Sequence, residues 1–306
     1  MYTRREFGAL TAMTVGRLAL PRPLAAQIDS TVGGVQIGVQ TYSFRALPRS
    51  PGGDQSEAII EAMTRCGLGD CELWSPMLEP ASGVGRDASP DARQQARDAL
   101  RRWRVETPLS HFEAIRDRFT AAGLTIYGFN YSVNDSFSDA EIDRGFEMAR
   151  ALGAEIITAS STLSAMTRVV PFAARHQMVI AVHNHSNTSD PNEFARPESF
   201  ATATALSPYV KVNLDIGHFT AANYDPVAYL REHHASISNL HLKDRRRDQG
   251  PNVPWGTGDT PIREVLQLLQ RERWPIRAHL EYEYRGSGSP VDEVIRCYDY
   301  VKQALV

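Results

Sequence analysis

The sequence predicts a single (β/α)8 TIM barrel with an extended connection after the second strand, and three observations carry that prediction. Short apolar runs with a strand period alternate with helical periods eight times over about 270 residues. Several of these runs end in His, Asp or Glu, at the end of a parallel strand where barrels collect their chemistry. No Gly-rich fingerprint follows the first run, which counts against a doubly wound open sheet.

The elements follow in order. Val35 to Ser43 reads as the first strand and Ser56 to Cys66 as a helix, with Ala58, Ile59, Ile60 and Met63 on its apolar face. Asp70 to Trp74 is a short second strand. The Gly-, Pro- and Ser-rich stretch Met77 to Ala88 and two helices, Pro90 to Arg104 and Pro108 to Ala122, come next. That is more connection than a barrel needs, so a lid or wall over the pocket is expected. Leu124 to Asn130 is the third strand, and Ser138 with Glu141 forms a capping box for a helix reaching Leu152. Glu155 to Ser160, Met178 to His183, Val210 to Asp215, Ile237 to Leu242 and Ile276 to Tyr282 are the remaining strands. Helices at Ser164 to His176, Pro191 to Leu206 in part, Pro226 to His233, Pro261 to Arg271 and Val291 to Leu305 separate or follow them.

The 306 residues, 42% hydrophobic and 23% charged, suit a soluble globular chain with a large core. The formal charge of −3 hides an asymmetry, because Arg4, Arg5, Arg17 and Arg22 face only Glu6 within residues 1 to 26. Thr3-Arg4-Arg5-Glu6-Phe7, a small-residue apolar stretch and Pro-Leu-Ala-Ala at 23 to 26 read as a twin-arginine-type signal peptide, residues 1–26, ahead of a barrel spanning 27–306. Export to the periplasm or beyond is therefore expected, with no membrane association after signal removal. The acidic remainder offers no nucleic-acid footprint, and the short run Lys243, Arg245, Arg246 and Arg247 reads as a solvated loop or a substrate-anion contact. Cys66, Cys71 and Cys297 read as buried thiols, with a Cys66 to Cys71 disulfide as the alternative.

The chemistry is concentrated at four strand ends. His183 and His185 flank Asn184; Asp215 precedes His218 by three residues; His241 and Lys243 share one face; His279, Glu281 and Glu283 share another. A lone histidine here would usually be a satisfied core residue, and Asp215 alone a helix cap. Four such ends in succession point instead to one divalent metal. Mixed imidazole and carboxylate donors suit Mn, Zn, Co or Fe(II), with Mg less favoured. Trp74, Phe129, Tyr131 and Trp255 are candidates to stack on a sugar ring, and Tyr42, Glu72 and Asn130 are further pocket candidates that the sequence does not rank. Gly256, Gly258 and the Pro261 helix start are the nearest thing to a phosphate cradle.

Asn-Leu-Asp-Ile-Gly-His (213–218), His-Leu-Lys-Asp (241–244), Trp-Gly-Thr-Gly-Asp (255–259) and Leu-Glu-Tyr-Glu (280–283) together resemble the xylose-isomerase-like family of TIM barrels. That family holds sugar isomerases and epimerases, inosose dehydratases and related endonucleases. The resemblance covers residues 34 to 306. It implies one metal held by His183, Asp215, His241 and Glu281, substrate contacts from His218, Asn184, Trp255 and Glu283, and Glu281, His185 and Lys243 as catalytic groups. Where the family's epimerases carry a fifth-strand glutamate, this chain has His183, so their two-carboxylate proton relay is not intact. The implied activity is a metal-dependent sugar isomerase or epimerase working by proton abstraction α to a carbonyl through an enediolate. A keto-glycoside (3-keto-sugar) lyase or hydrolase acting by β-elimination, and a non-catalytic periplasmic sugar- or metal-binding barrel, are the alternatives. The expected partner is a small carbohydrate, and a homo-oligomer is left open.

Overall fold

A computed structural model describes residues 25–49, 53–81, 83–85 and 87–306. The expected leader falls outside these, apart from its last two residues. Eight parallel strands are hydrogen-bonded in chain order: β1 (Val35–Gln40), β2 (Asp70–Trp74), β3 (Thr125–Asn130), β4 (Ile156–Ala159), β5 (Val179–His183), β6 (Val210–Asp215), β7 (Ile237–Leu242) and β8 (Arg277–Leu280). Pairing of β1 with β8, Ile37 opposite Ala278, closes the ring. A two-residue strand, Thr31–Val32, pairs antiparallel with the start of β1 outside the barrel.

Helices surround the ring: α1 (Ser56–Cys66), α2 (Pro90–Glu106), α3 (Leu109–Ala121), α4 (Asp139–Ala151), α5 (Leu163–His176), α6 (Pro197–Thr204), α7 (Ile216–Ala221), α8 (Pro226–His233), α9 (Ile262–Glu272) and α10 (Pro290–Leu305). The period-2 pattern explains the core. In β6, Val210, Val212 and Leu214 alternate with inward-facing Asn213 and Asp215; in β7, Leu240 and Leu242 alternate with Asn239 and His241. The outward aliphatics join Val265, Leu266 and Leu269 of α9 and Val294 and Val301 of α10 in one continuous buried cluster. No helix among the described residues is long and apolar enough to cross a membrane.

Several local expectations shift. β1 stops at Gln40, whose side chain caps a 3-10 turn over Thr41–Phe44, and β8 stops at Leu280. Residues 216 to 221 form α7, whose first turn is capped by the Asp215 side chain accepting the His218 amide. The Ser138–Glu141 capping box is present. The long β2–β3 connection packs sideways: Arg101 and Arg104 of α2 pair with Glu141 of α4 at 2.9 and 3.3 Å. All three cysteines are free and buried, so the disulfide alternative does not hold.

Candidate metal centre and active site

β5 to β8 run parallel, so their last inward residues converge on the same end of the barrel; Asp215 and His241 are direct neighbours across the β6–β7 ladder. Ligand atoms of His183, Asp215, His241 and Glu281 lie within 4.8 Å of one another, all buried. His183 approaches Asp215 Oδ2 through Nε2 at 3.3 Å, while its Nδ1 lies 3.3 Å from Ser160 Oγ. Asp215 serves two purposes: Oδ1 caps α7 at 2.7 Å, and Oδ2 faces the cluster. Asn184 braces it from below, accepting the Asp215 amide at 2.9 Å and donating to the Asp215 carbonyl at 3.1 Å.

His241 and Glu281 show what the cluster lacks. His241 Nδ1 and Glu281 Oε2 are buried 2.9 Å apart without the alignment of a hydrogen bond, and Glu281 Oε2 is held by the Lys243 ammonium alone, at 2.9 Å. Such atoms are costly unless something binds them. A cation between them would satisfy both, so the donor set fits a divalent metal, and its nitrogens favour a transition ion over calcium. Three carboxylates, Asp215, Glu281 and Glu283, surround one ammonium: Lys243 Nζ lies 3.0, 2.9 and 2.6 Å from them. That leaves two negative charges, which one divalent ion balances.

The electrostatics agree. Burial alone would raise the Glu281 carboxyl, but Lys243 and His241 outweigh it and bring it down to about 2. Burial likewise opposes ionisation of Asp215, yet Lys243, His218 and His183 hold it well below the usual carboxylate range. Burial disfavours the Lys243 cation, but its three carboxylates raise it well above an ordinary lysine. Lys243 is therefore a fixed charge.

Beneath the cluster lies a residue the sequence left unranked. Glu72 of β2 is fully buried and accepts hydrogen bonds from Gln40, Asn130 and Thr158 on Oε1 (2.6, 2.9 and 2.7 Å). Oε2 accepts from Asn213, Asn239 and His241 (3.1, 2.9 and 2.8 Å). Burial works against its charge, but His241 and His279 and these donors keep its carboxyl well below the ordinary range. An ionised carboxylate only accepts, so His241 Nε2 carries the proton. His279 sits one layer lower, its Nε2 2.8 Å from Asp70 Oδ1.

The cluster opens into a cavity of about 230 Å3 lined by Gln40, Tyr42, Trp74, Asn130, Ser132, Ser160, His183, His185, His218, His241, Lys243, Glu281 and Glu283. A larger cavity of about 560 Å3 beside α2 offers no imidazole or carboxylate among its lining residues. The small pocket is thus where the chemistry is available. Trp74 packs edge-on against Tyr42 at 4.8 Å on its wall. Of the expected substrate contacts, His218 and Glu283 reach this pocket. Asn184 is turned to β6, and Trp255 lies in a separate cleft against Tyr300. Phe129 and Tyr131 are core residues. The Gly256 and Gly258 amides hold the Asp244 carboxylate, at 2.8 and 2.9 Å, so they are not free for a phosphate. Lys243 and Arg245, read as part of a basic loop, are buried.

A family model described as xylose isomerase-like TIM barrel matches residues 85–300. The chain belongs to the xylose isomerase-like TIM barrel family. No functionally curated protein matches it in sequence. Among solved structures, this xylose isomerase-like barrel is similar to 3-keto-D-glucoside 4-epimerase from E. coli (12% identity, TM-score 0.59, 88% of this chain and 99% of that one). It is also similar to a probable 3-DHS dehydratase from Bacillus anthracis (15%, 0.61, 88% and 99%) and to the IOLI protein with a bound zinc atom (12%, 0.62, 89% and 98%). At these identities the likeness establishes the shared fold.

Proposed function

We propose that this barrel is a divalent-metal-dependent sugar isomerase or epimerase that removes a proton α to a carbonyl. The observation that carries the reading is the buried four-residue cluster at the barrel mouth, whose ligand atoms lie within 4.8 Å of one another beside an open pocket. His183, Asp215, His241 and Glu281 would hold the ion. When bound there, a divalent ion supplies Lewis acidity toward the substrate carbonyl and adjacent hydroxyl oxygens.

The chain's own residues supply the rest. Glu281, at the end of β8, and His185, beyond β5, are the groups placed to take and return a proton. His185 lies 3.3 Å from Glu193 Oε1, and burial, with His183 and Lys243, lowers its pKa to about 4, so near neutral pH it is an uncharged imidazole able to accept a proton. Lys243 stays charged and keeps Asp215, Glu281 and Glu283 in place. Tyr42 and Trp74 offer aromatic surface to a sugar ring.

An uncharged sugar suits the pocket better than a sugar phosphate. Around it, Lys243 is held by three carboxylates, and Arg45 donates to the carbonyls of Tyr42 and Tyr282 at 3.1 and 3.0 Å. Arg245 is likewise engaged, by Ser186 and Gly250. A keto-glycoside lyase is the second reading. It is favoured by His183 standing at the β5 position, because elimination needs no second carboxylate to reprotonate the opposite face. The likeness to a 3-keto-D-glucoside epimerase and a dehydratase is in keeping with both.

The test is proton exchange by NMR, with metal-loaded protein in D2O and a panel of ketoses, aldoses and 3-keto-glycosides. Deuterium entering the carbon next to the carbonyl of an intact skeleton is expected. Loss of the glycosidic substituent would establish the lyase, and metal binding without exchange would leave a binding barrel. The proposal includes export through residues 1–26; a reporter fused to them that stays in the cytoplasm would overturn that part.

A further inference from the structure

We propose that Arg245 is a positioning residue: it fixes His218 in the neutral tautomer that carries its proton on Nε2, so that His218 offers the pocket an N–H donor. Arg245 Nη1 lies 2.5 Å from His218 Nδ1. A guanidinium has five N–H donors and no acceptor, so Nδ1 must be the accepting, unprotonated nitrogen. The ring proton then sits on Nε2, the remaining nitrogen of a side chain that lines the pocket.

Arg245 is itself built in. It is 9% exposed; Nη1 also donates to Ser186 Oγ at 3.1 Å, and Nε and Nη2 donate to the Gly250 carbonyl at 3.1 and 2.6 Å. Its own amide donates to Thr260 Oγ1 at 3.0 Å. Next to it, the Asp244 carboxylate accepts the amides of Gly256, Gly258 and Thr260, which pins the loop after β7. The guanidinium therefore cannot swing away at little cost.

The consequence is that His218 is set apart from the other imidazoles at the mouth. His183 belongs to the candidate metal cluster. His185 faces Glu193, its Nδ1 3.3 Å from Glu193 Oε1. His218, 5.2 Å from His185 and 5.8 Å from His183 between ring centres, is confined to donating a hydrogen bond. In the proposed reaction, on which this last step rests, the acceptor is a substrate oxygen beside the reacting carbonyl.

The experiment is long-range 1H–15N NMR on the full chain, without metal and with Zn(II), His218 being assigned by comparison with His218→Gln. A protonated Nε2 and a bare Nδ1 are expected in the wild type. Arg245→Met should give mixed tautomers, and Arg245→Lys should restore the wild-type pattern. A protonated Nδ1 in the wild type, or an unchanged pattern in Arg245→Met, would overturn the proposal even if no variant were stable enough for kinetics. For the sugar identified by exchange, Arg245→Met should raise KM about tenfold, the scale of one hydrogen bond, with metal affinity unchanged. An unchanged KM would refute the donor role toward substrate. The tautomer reading is independent of turnover, so failure to find a reacting sugar would count against the proposed function alone.

Discussion

Glu72 decides how His241 meets an ion. Its Oε2 accepts the Nε2–H hydrogen bond at 2.8 Å, which turns Nδ1 toward Asp215 and Glu281. Carboxylates of this kind typically account for 10- to 100-fold in metal affinity. Glu72→Gln is expected to weaken Zn(II) or Mn(II) binding by about that factor in a chelator-competition titration, and unchanged affinity would show that Glu72 does not orient the ligand. The same residue predicts a pH effect. Burial disfavours the His241 cation, but Glu72 and Glu281 outweigh it and raise its pKa to about 10 without metal. An ion must then displace a proton from Nδ1, so affinity should climb by up to tenfold per pH unit from about pH 6 to 9. A pH-independent affinity over that window would mean that His241 is not a ligand. The sign for folding follows as well. A raised imidazole pKa contributes stability to the metal-free chain that is fully present below the unfolded value of about 6.5 and is lost as pH rises through about 10.

The loop that follows β7 is the element on which the pocket's second layer depends. Asp244 gathers the amides of Gly256, Gly258 and Thr260, and a Cβ on Gly258 would stand 2.0 Å from Asp244 Oδ1 and 2.9 Å from the Arg245 carbonyl. The loop must move to accept one. Gly258→Ala should therefore cost about 1–3 kcal/mol of stability, typical of overpacking, and lower kcat/KM at least tenfold while metal stoichiometry holds. Wild-type kinetics in that variant would refute a role for this loop in shaping the pocket. What could be read in the sequence follows the same division. The strands and the four ligand candidates were legible because a period of two fixes which residues face inward, and parallel strands finish at the same end of the barrel. Glu72 was not, since its six partners come from β1, β3, β4, β6 and β7, and no local pattern ties them together. Asn184 sits between two histidines and shares their composition but turns toward Asp215 instead. Arg245 has the look of a surface charge in a basic run; its burial depends on a fold-back through Gly250 that periodicity does not encode.

At the scale of the molecule, the barrel interior departs from the layers of branched aliphatics that fill most such barrels. Around Glu72 it is filled by Gln40, Asn130, Thr158, Asn213 and Asn239, with Asp70 and His279 below them. The buried carboxylate is satisfied six times over and ties β2 to five other strands through side chains alone. The candidate metal ligands come from the ends of β5, β6, β7 and β8, so an ion would tie in β5 and β8, the two strands outside Glu72's six hydrogen bonds. His241 belongs to both sets and joins them. A ligand that binds only the folded state stabilises it by about 2.7 kcal/mol at a hundredfold excess over Kd. For a chain of this size that corresponds to a rise in Tm of roughly 4–5 °C. Metal-loaded protein should thus melt that much higher than protein stripped with a chelator, and His241→Ala should abolish the difference. Glu72→Gln should shrink the difference, because it weakens binding without removing a ligand. Equal melting temperatures with and without metal, in protein shown by elemental analysis to carry one ion per chain, would place that ion away from the barrel mouth.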